Sequence, residues 1–185
     1  MIKTLDQNTQ EVSDIAMQFL AYVDAATIAE VEQASVWYRD AEEIAEDVAE
    51  NLDASLEVGA SVVSAFSPRE RWSTNVAKAI EFSLGGTPKG LGNNVKMARE
   101  STVLGFDALK GDKTNAFARA IAGDHDAVVI DVWMIKAAGM DGKKGVNKTQ
   151  YRELADAVRE VAALRGLTPR TCQALIWIVK RGSAS

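Results

Sequence analysis

The chain has 185 residues, 47% hydrophobic and 25% charged, with Lys+Arg 21 against Asp+Glu 26 and a formal net charge of −5. That length fits one domain or two intimately packed lobes with a sizeable core, and the composition excludes wholesale disorder. A single cysteine, Cys172, excludes an internal disulfide framework, a Cys-rich zinc site and a four-cysteine iron–sulfur cluster. No apolar run reaches the length of a membrane span, and no basic stretch leads into an apolar one at the start. The expectation is a protein with no membrane partner and no secretory signal, cytoplasmic by default.

The charge is split. Residues 1–60 carry Lys3 and Arg39 against 14 acidic residues, a net of −12, and residues 61–185 carry 19 basic and 12 acidic residues, a net of +7. An acidic cover on a basic body, or an acidic partner for that body, gives such a split; so does ordinary variation among solvated helix faces.

The elements in chain order are nearly all helical. Residues 9–23 place Val12, Ile15, Ala16, Phe19, Leu20 and Val23 on one helical face, and residues 27–52 repeat the pattern with Ile28, Val31, Ala34, Trp37, Ile44, Val48 and Leu52. The opposite face of the second helix is the acidic run from Asp40 to Glu50. Leu56 to Phe66 predicts a helix of small apolar residues, buried on most sides. Ser67-Pro68-Arg69-Glu70 has the Ser, Pro and Glu of a helix start, predicting a helix through Trp72, Val76, Ile80 and Leu84. Gly85 to Gly92 reads as a loop and Val95 with Met97 as a short helix. Gly105 to Gly123 reads as helix end, tight turn and helix, with Asp112 as a cap. After the apolar run 127–130, Asp131 is placed to cap a helix ending at Gly139. Asn147 with Gln150 opens a helix to Arg165, and Thr168-Pro169 opens the last, with Cys172, Leu175, Ile176 and Val179 inward. His125, between two aspartates, reads as an exposed loop residue, and no metal site or cofactor is expected.

Leu109-Lys110-Gly111-Asp112-Lys113-Thr114, followed by Ile130-Asp131-Val132-Trp133, resembles the helix-hairpin-helix DNA glycosylase superfamily. There a hairpin of the type Leu-Pro-Gly-x-Gly-x-Lys-Thr-Ala opens a helix, and a later Val-Asp-Thr-His segment supplies a carboxylate. Ser67-Pro68 with Trp72 and Asn75 looks more like the glycosylase-like enzymes of bacteriophage DNA hypermodification than like repair enzymes. Tyr151, Arg159, Gly166-Leu167-Thr168-Pro169, Gln173-Ala174 and Trp177 look like the closing helices of some members. The resemblance covers roughly residues 56–180.

It implies an all-α, two-lobed fold. The central lobe would be 54–145 with the hairpin at 109–114, and 1–53 would pack with 146–185 as the second lobe. It implies an enzyme acting on a base of double-stranded DNA, glycosylase-like or base-hypermodifying. Asp131 would oppose positive charge at the sugar, and Lys113 would serve as an amine nucleophile. Phe66 would fill the gap in the stack, with Ser67, Asn75, Lys110, Gly111 and Thr114 on the DNA. Apart from the resemblance, Lys89, Lys96, Arg99, Lys110, Lys143, Lys144 and Lys148 read either as basic residues that track phosphates or, taken singly, as ordinary surface charge. The hairpin is two residues shorter than the family's and lacks its second Gly, and Val132-Trp133 replaces Thr-His. The alternative is therefore a non-catalytic phage protein that keeps the fold to bind DNA or a host protein, the latter through the acidic helices.

Overall fold

The computed structural model describes residues 13–182 other than 91. These form nine α-helices and one 3-10 turn, with no strand among them. The expected span of the first helix begins at residue 9, and its first four positions lie outside the described residues.

Helix α1 (Asp14–Ala25) opens at Ser13, whose hydroxyl accepts the Ala16 N–H. Helix α2 (Ile28–Asn51) opens at Thr27 with a reciprocal capping box to Glu30. Helix α3 (Leu56–Ala65) is buried from Gly59 to Ala65, as its small apolar composition requires. Gly59 lets it approach α2 closely: a Cβ there would sit 2.0 Å from the carbonyl oxygen of Ala45.

Helix α4 (Trp72–Ser83) departs from the expected start. Ser67 and Pro68 do not open it; Arg71 is its N-cap and makes no side-chain capping bond. Arg69 adopts φ 65°, a left-handed conformation that a helix cannot continue through. Glu70 does not turn back to cap. Its carboxylate takes the ammonium of Lys78, two turns into α4, in a pair largely shielded from water. A charge-assisted bond outcompetes a neutral cap.

Helix α5 (Gly92–Leu104) is longer than Val95 and Met97 alone suggest. The 3-10 turn Gly105–Ala108 follows, then α6 (Asp112–Ile121). Gly111, not Asp112, is the N-cap of α6. Helix α7 (Val132–Ala137) is capped by Asp131, and α8 (Lys148–Arg165) opens with the Asn147–Gln150 box. Helix α9 (Pro169–Arg181) opens at Thr168, whose hydroxyl accepts the Thr171 N–H.

Two hydrophobic cores meet along α9. The first gathers Tyr38, Val48, Val62, Val63, Phe66, Ile121, Leu175 and Ile178. The second gathers Phe19, Ile130, Met134, Leu154, Val158, Val161, Cys172 and Ile176. Helix α9 supplies one face to each, and Trp177 packs against both. This division does not follow the expected limits of 54–145 against the two ends. Helix α2 puts Ala41, Ala45 and Val48 into the first core, because its alanine face admits α3 at short range. Helix α7, inside 54–145, puts Met134 and Ile135 into the second.

Candidate functional site

Both cores contribute walls to one cleft of about 640 Å³. That lies within the range of small-molecule sites, roughly 300–1,000 Å³. Its floor is aromatic. The Trp37 ring lies 5.3 Å from Trp72, 5.9 Å from Phe117 and 6.2 Å from Trp177 between centroids. Helices α2, α4, α6 and α9 each deliver one of these rings, so the platform exists only in the folded chain. Such faces stack on flat apolar or heteroaromatic ligands. Below it the Tyr38 hydroxyl donates to Gln173 Oε1 at 2.8 Å, in the interior. Burial pushes the Tyr38 phenol far above its ordinary value, so it stays neutral.

Asp131 stands at one wall, placed by local and distant contacts. One carboxylate oxygen accepts the backbone N–H groups of Trp133 at 2.9 Å and Met134 at 3.0 Å. The other accepts the Trp177 indole N–H at 2.9 Å. Tyr151 fixes the extended segment before Asp131: its hydroxyl donates to Val128 O at 2.9 Å and accepts the Ile130 N–H at 3.2 Å. Burial, joined by the charges of Asp112 and Asp131, pushes its phenol up to about 12 against the accepting bond from Ile130, which lowers it.

Lys113, in the first turn of α6, lines the same cleft, as do Gly111, Ser67 and Asn75. The fold thus brings together Asp131, Lys113, Ser67, Asn75 and Gly111 from separate parts of the sequence. Asn75 is 2% exposed, and its Oδ1 has no hydrogen-bond partner; neither has Ser67 Oγ. Arg69, Arg71, Lys113, Lys144 and Arg181 give the lining five cationic side chains. Arg181 lies over the Trp177 ring, 4.8 Å from its centroid. Arg69 is exposed at this wall and holds its left-handed backbone there, a strain of the kind that collects at functional loops.

Three expected DNA contacts fall elsewhere. Phe66 is 1% exposed, sealed in the first core against Phe82 at 5.8 Å, and cannot enter a base stack. It ends α3 on the helix face that packs inward, so its size serves the core. Thr114 is buried, its hydroxyl donating to Gly111 O at 3.0 Å and its carbonyl accepting from Ser64. That leaves it no free side-chain donor for phosphate. Lys110 lies outside the cleft. It borders a second cavity of about 600 Å³ across the hairpin, and its ammonium donates to Asp107 O. His125 is exposed, and its carbonyl accepts the Arg170 N–H.

Sequence reasoning missed Trp37, Tyr38, Phe117 and Arg69 as cleft residues. Periodicity marks the inward side of a helix but does not separate a packed core from a cleft wall. Only the left-handed backbone sets Arg69 apart, and no sequence signal announces it on a non-glycine residue.

Among the described residues no helix is long and apolar enough to cross a membrane, and no three of His, Cys, Asp and Glu converge as metal ligands. Comparison with the curated proteins gives no match, and comparison with the solved structures gives none. One family model matches residues 1–184, that of a family of unknown function, DUF7178. The chain belongs to the DUF7178 family.

Proposed function

We propose that the chain acts on a base taken out of duplex DNA, in the manner of the helix-hairpin-helix glycosylases and their base-hypermodifying phage relatives. The observation that carries this reading is the meeting of Asp131 and Lys113 in one cleft floored by tryptophans. A flipped base would stack on that floor. As the C1′–N bond breaks, its electron pair leaves with the base, and the positive charge left on the sugar faces the Asp131 carboxylate. Water or the neutral Lys113 amine then adds at C1′, and the proton it gives up goes to the departed base anion. The cationic side chains around the cleft suit the flanking phosphates.

A second reading has its own support. Both oxygens of Asp131 already hold structural donors, which a cap and core anchor alone would explain. On that reading the cleft binds DNA or a protein without turnover.

The deciding experiment incubates the full chain with duplexes carrying normal, hydroxymethylated or damaged bases and follows released or altered nucleosides by mass spectrometry. The wild type is expected to change one class. Asp131→Asn, assayed below its melting range, is expected to lose roughly 100-fold or more of that rate while still binding. No change to any base by the wild type refutes the enzyme reading and leaves the binding one.

A further inference from the structure

Asn75 carries chemistry that the fold does not use. It lies on the inner side of α4, 2% exposed, and its Oδ1 is out of reach of every donor among the described residues. A buried acceptor without a donor is costly, because folding removes its water and returns nothing. Ser67 Oγ, on the loop before α4, is in the same condition. Both residues line the cleft, whereas the other two such atoms, in Ser61 and Ser101, lie away from it. The loop that carries Ser67 is held firmly. Glu70 is tied to Lys78, and Asn94 donates to Pro68 O at 3.5 Å. The two orphaned groups thus belong to cleft-lining residues on α4 and the loop before it, next to Trp72 of the aromatic platform.

We infer that Asn75 Oδ1 and Ser67 Oγ read the edge of a nucleobase that stacks on Trp37 and Trp72, with Oδ1 accepting a ligand N–H. The inference rests on the base-directed reading of the cleft and specifies its ligand: a flat heterocycle with a donor N–H on its pairing edge and an acceptor next to it. Oδ1 can only accept, so the ligand must donate. The Ser67 hydroxyl donates or accepts and takes the neighbouring atom. An analogue without that N–H leaves Oδ1 unpaired and gains nothing from it. Discrimination of this kind, by a group left unpaired, exceeds what apolar fit supplies.

The test titrates the full chain with the natural deoxynucleosides, each paired with the analogue lacking the pairing-edge N–H. These analogues are the deoxynucleosides of purine, 2-pyrimidinone, N3-methylthymine and, for the two pairing-edge donors of guanine, N1-methylguanine and hypoxanthine. Quenching of tryptophan emission reports occupancy, since Trp37, Trp72 and Trp177 line the cleft. The same pairs are placed at one mismatched position of a short duplex, which separates a base delivered from DNA from a free nucleoside. One natural member is expected to bind about tenfold more tightly than its analogue. In Asn75→Leu that ratio should fall to about one while the melting temperature stays at or above that of the wild type, because the orphaned acceptor is gone.

Equal binding within every pair, or a ratio that survives Asn75→Leu, overturns the inference. Duplex binding without a ratio does so while sparing the base-directed reading. A ratio with free nucleosides and no binding of duplexes keeps the edge readers and overturns DNA as the source. Binding of neither overturns both. Should Asn75→Leu fail to fold, Asn75→Ala gives the same comparison, and an unchanged ratio there refutes the readout.

Discussion

The Asp131–Trp177 hydrogen bond ties the candidate carboxylate to the junction of the two cores, and its worth can be measured apart from any activity. The carboxylate offers oxygens on both sides. One takes two backbone N–H groups and the other takes an indole N–H, at 2.9–3.0 Å throughout. Asparagine supplies only one oxygen. If that oxygen keeps the cap, the amide NH₂ faces the indole N–H, donor against donor; an unmet buried donor costs about 1–3 kcal/mol. If the amide turns round, the cap is lost at about 0.5–2 kcal/mol. Asp131→Asn should therefore lose about 2 kcal/mol, or about 4–8 °C in melting temperature for a chain of this size. Trp177→Phe removes the donor and retains most of the ring. In the double variant the donor clash is absent, so its loss should fall short of the sum of the singles by about 1–2 kcal/mol. Urea unfolding followed by circular dichroism of the two singles, the double and the wild type gives the coupling. Additivity within about 0.5 kcal/mol would refute the bond. The cycle also serves the enzymology: Trp177→Phe keeps both the carboxylate and the cap, so a lost rate in Asp131→Asn that Trp177→Phe does not share is chemical in origin.

Two other outcomes follow from the packing and the titrating groups. Gly59→Ala places a Cβ 2.0 Å from the Ala45 carbonyl oxygen and 2.9 Å from Ala49 Cβ. Backbone cannot swing aside, so α2 and α3 must separate at a cost of about 1–3 kcal/mol or more; a loss under about 0.5 kcal/mol in urea unfolding would deny the close approach. At alkaline pH, burial holds the Cys172 thiol up to about 12 from 9.0, and the Tyr151 phenol up to about 12 from 10.0. Raised acids of this kind stabilise the fold fully below their unfolded values, and that part is lost as pH rises through the folded ones. Stability should thus decline from pH 9 toward 12, and Cys172→Val with Tyr151→Phe should flatten the decline relative to the wild type. An equal slope in both proteins would refute the assignment.

What the sequence could disclose depended on how far each interaction reaches. Asp131, Asn147 with Gln150, and Thr168-Pro169 satisfy N–H groups two or three residues on, so their caps are visible in a local pattern. Ser67-Pro68-Arg69-Glu70 has an equally good local pattern and fails. Glu70 finds Lys78, and Arg69 takes a backbone state that no helix tolerates. Phe66 misled for a related reason. Its place beside the loop suggested a wedge, yet it caps the C-terminal end of α3, which is buried from Gly59 onward, and sits in the core with it. The aromatic floor was out of reach altogether. Trp37, Phe117 and Trp177 each satisfy the spacing of their own helix, and nothing local records that three helices aim them at one space.

The charge split takes a definite spatial meaning in the folded chain. From residues 1–60, the cleft lining takes only Trp37 and Tyr38, both uncharged. Every cation of the lining, Arg69, Arg71, Lys113, Lys144 and Arg181, comes from the part of the chain with net charge +7. Of the three acids there, Glu70 is neutralised by Lys78 and Asp131 is engaged by three N–H donors, which leaves Asp112. Helix α2 achieves this separation alone, burying Tyr38, Ala41, Ala45 and Val48 while Glu43, Glu46, Asp47 and Glu50 stay in water. At 1.5 Å per residue, Glu46 to Glu50 lie roughly 12–18 Å along the axis from Tyr38. That exceeds the screening length of about 10 Å at 0.1 M salt. An anion at the cleft therefore meets the local cations together with Asp40, Glu42 and Glu43, roughly 3–8 Å along the axis from Tyr38, and little of Glu46, Asp47 and Glu50. What a phosphate-bearing ligand meets first is therefore set by the lining, with five cations against three acids of which two are engaged, and not by the net charge of −5.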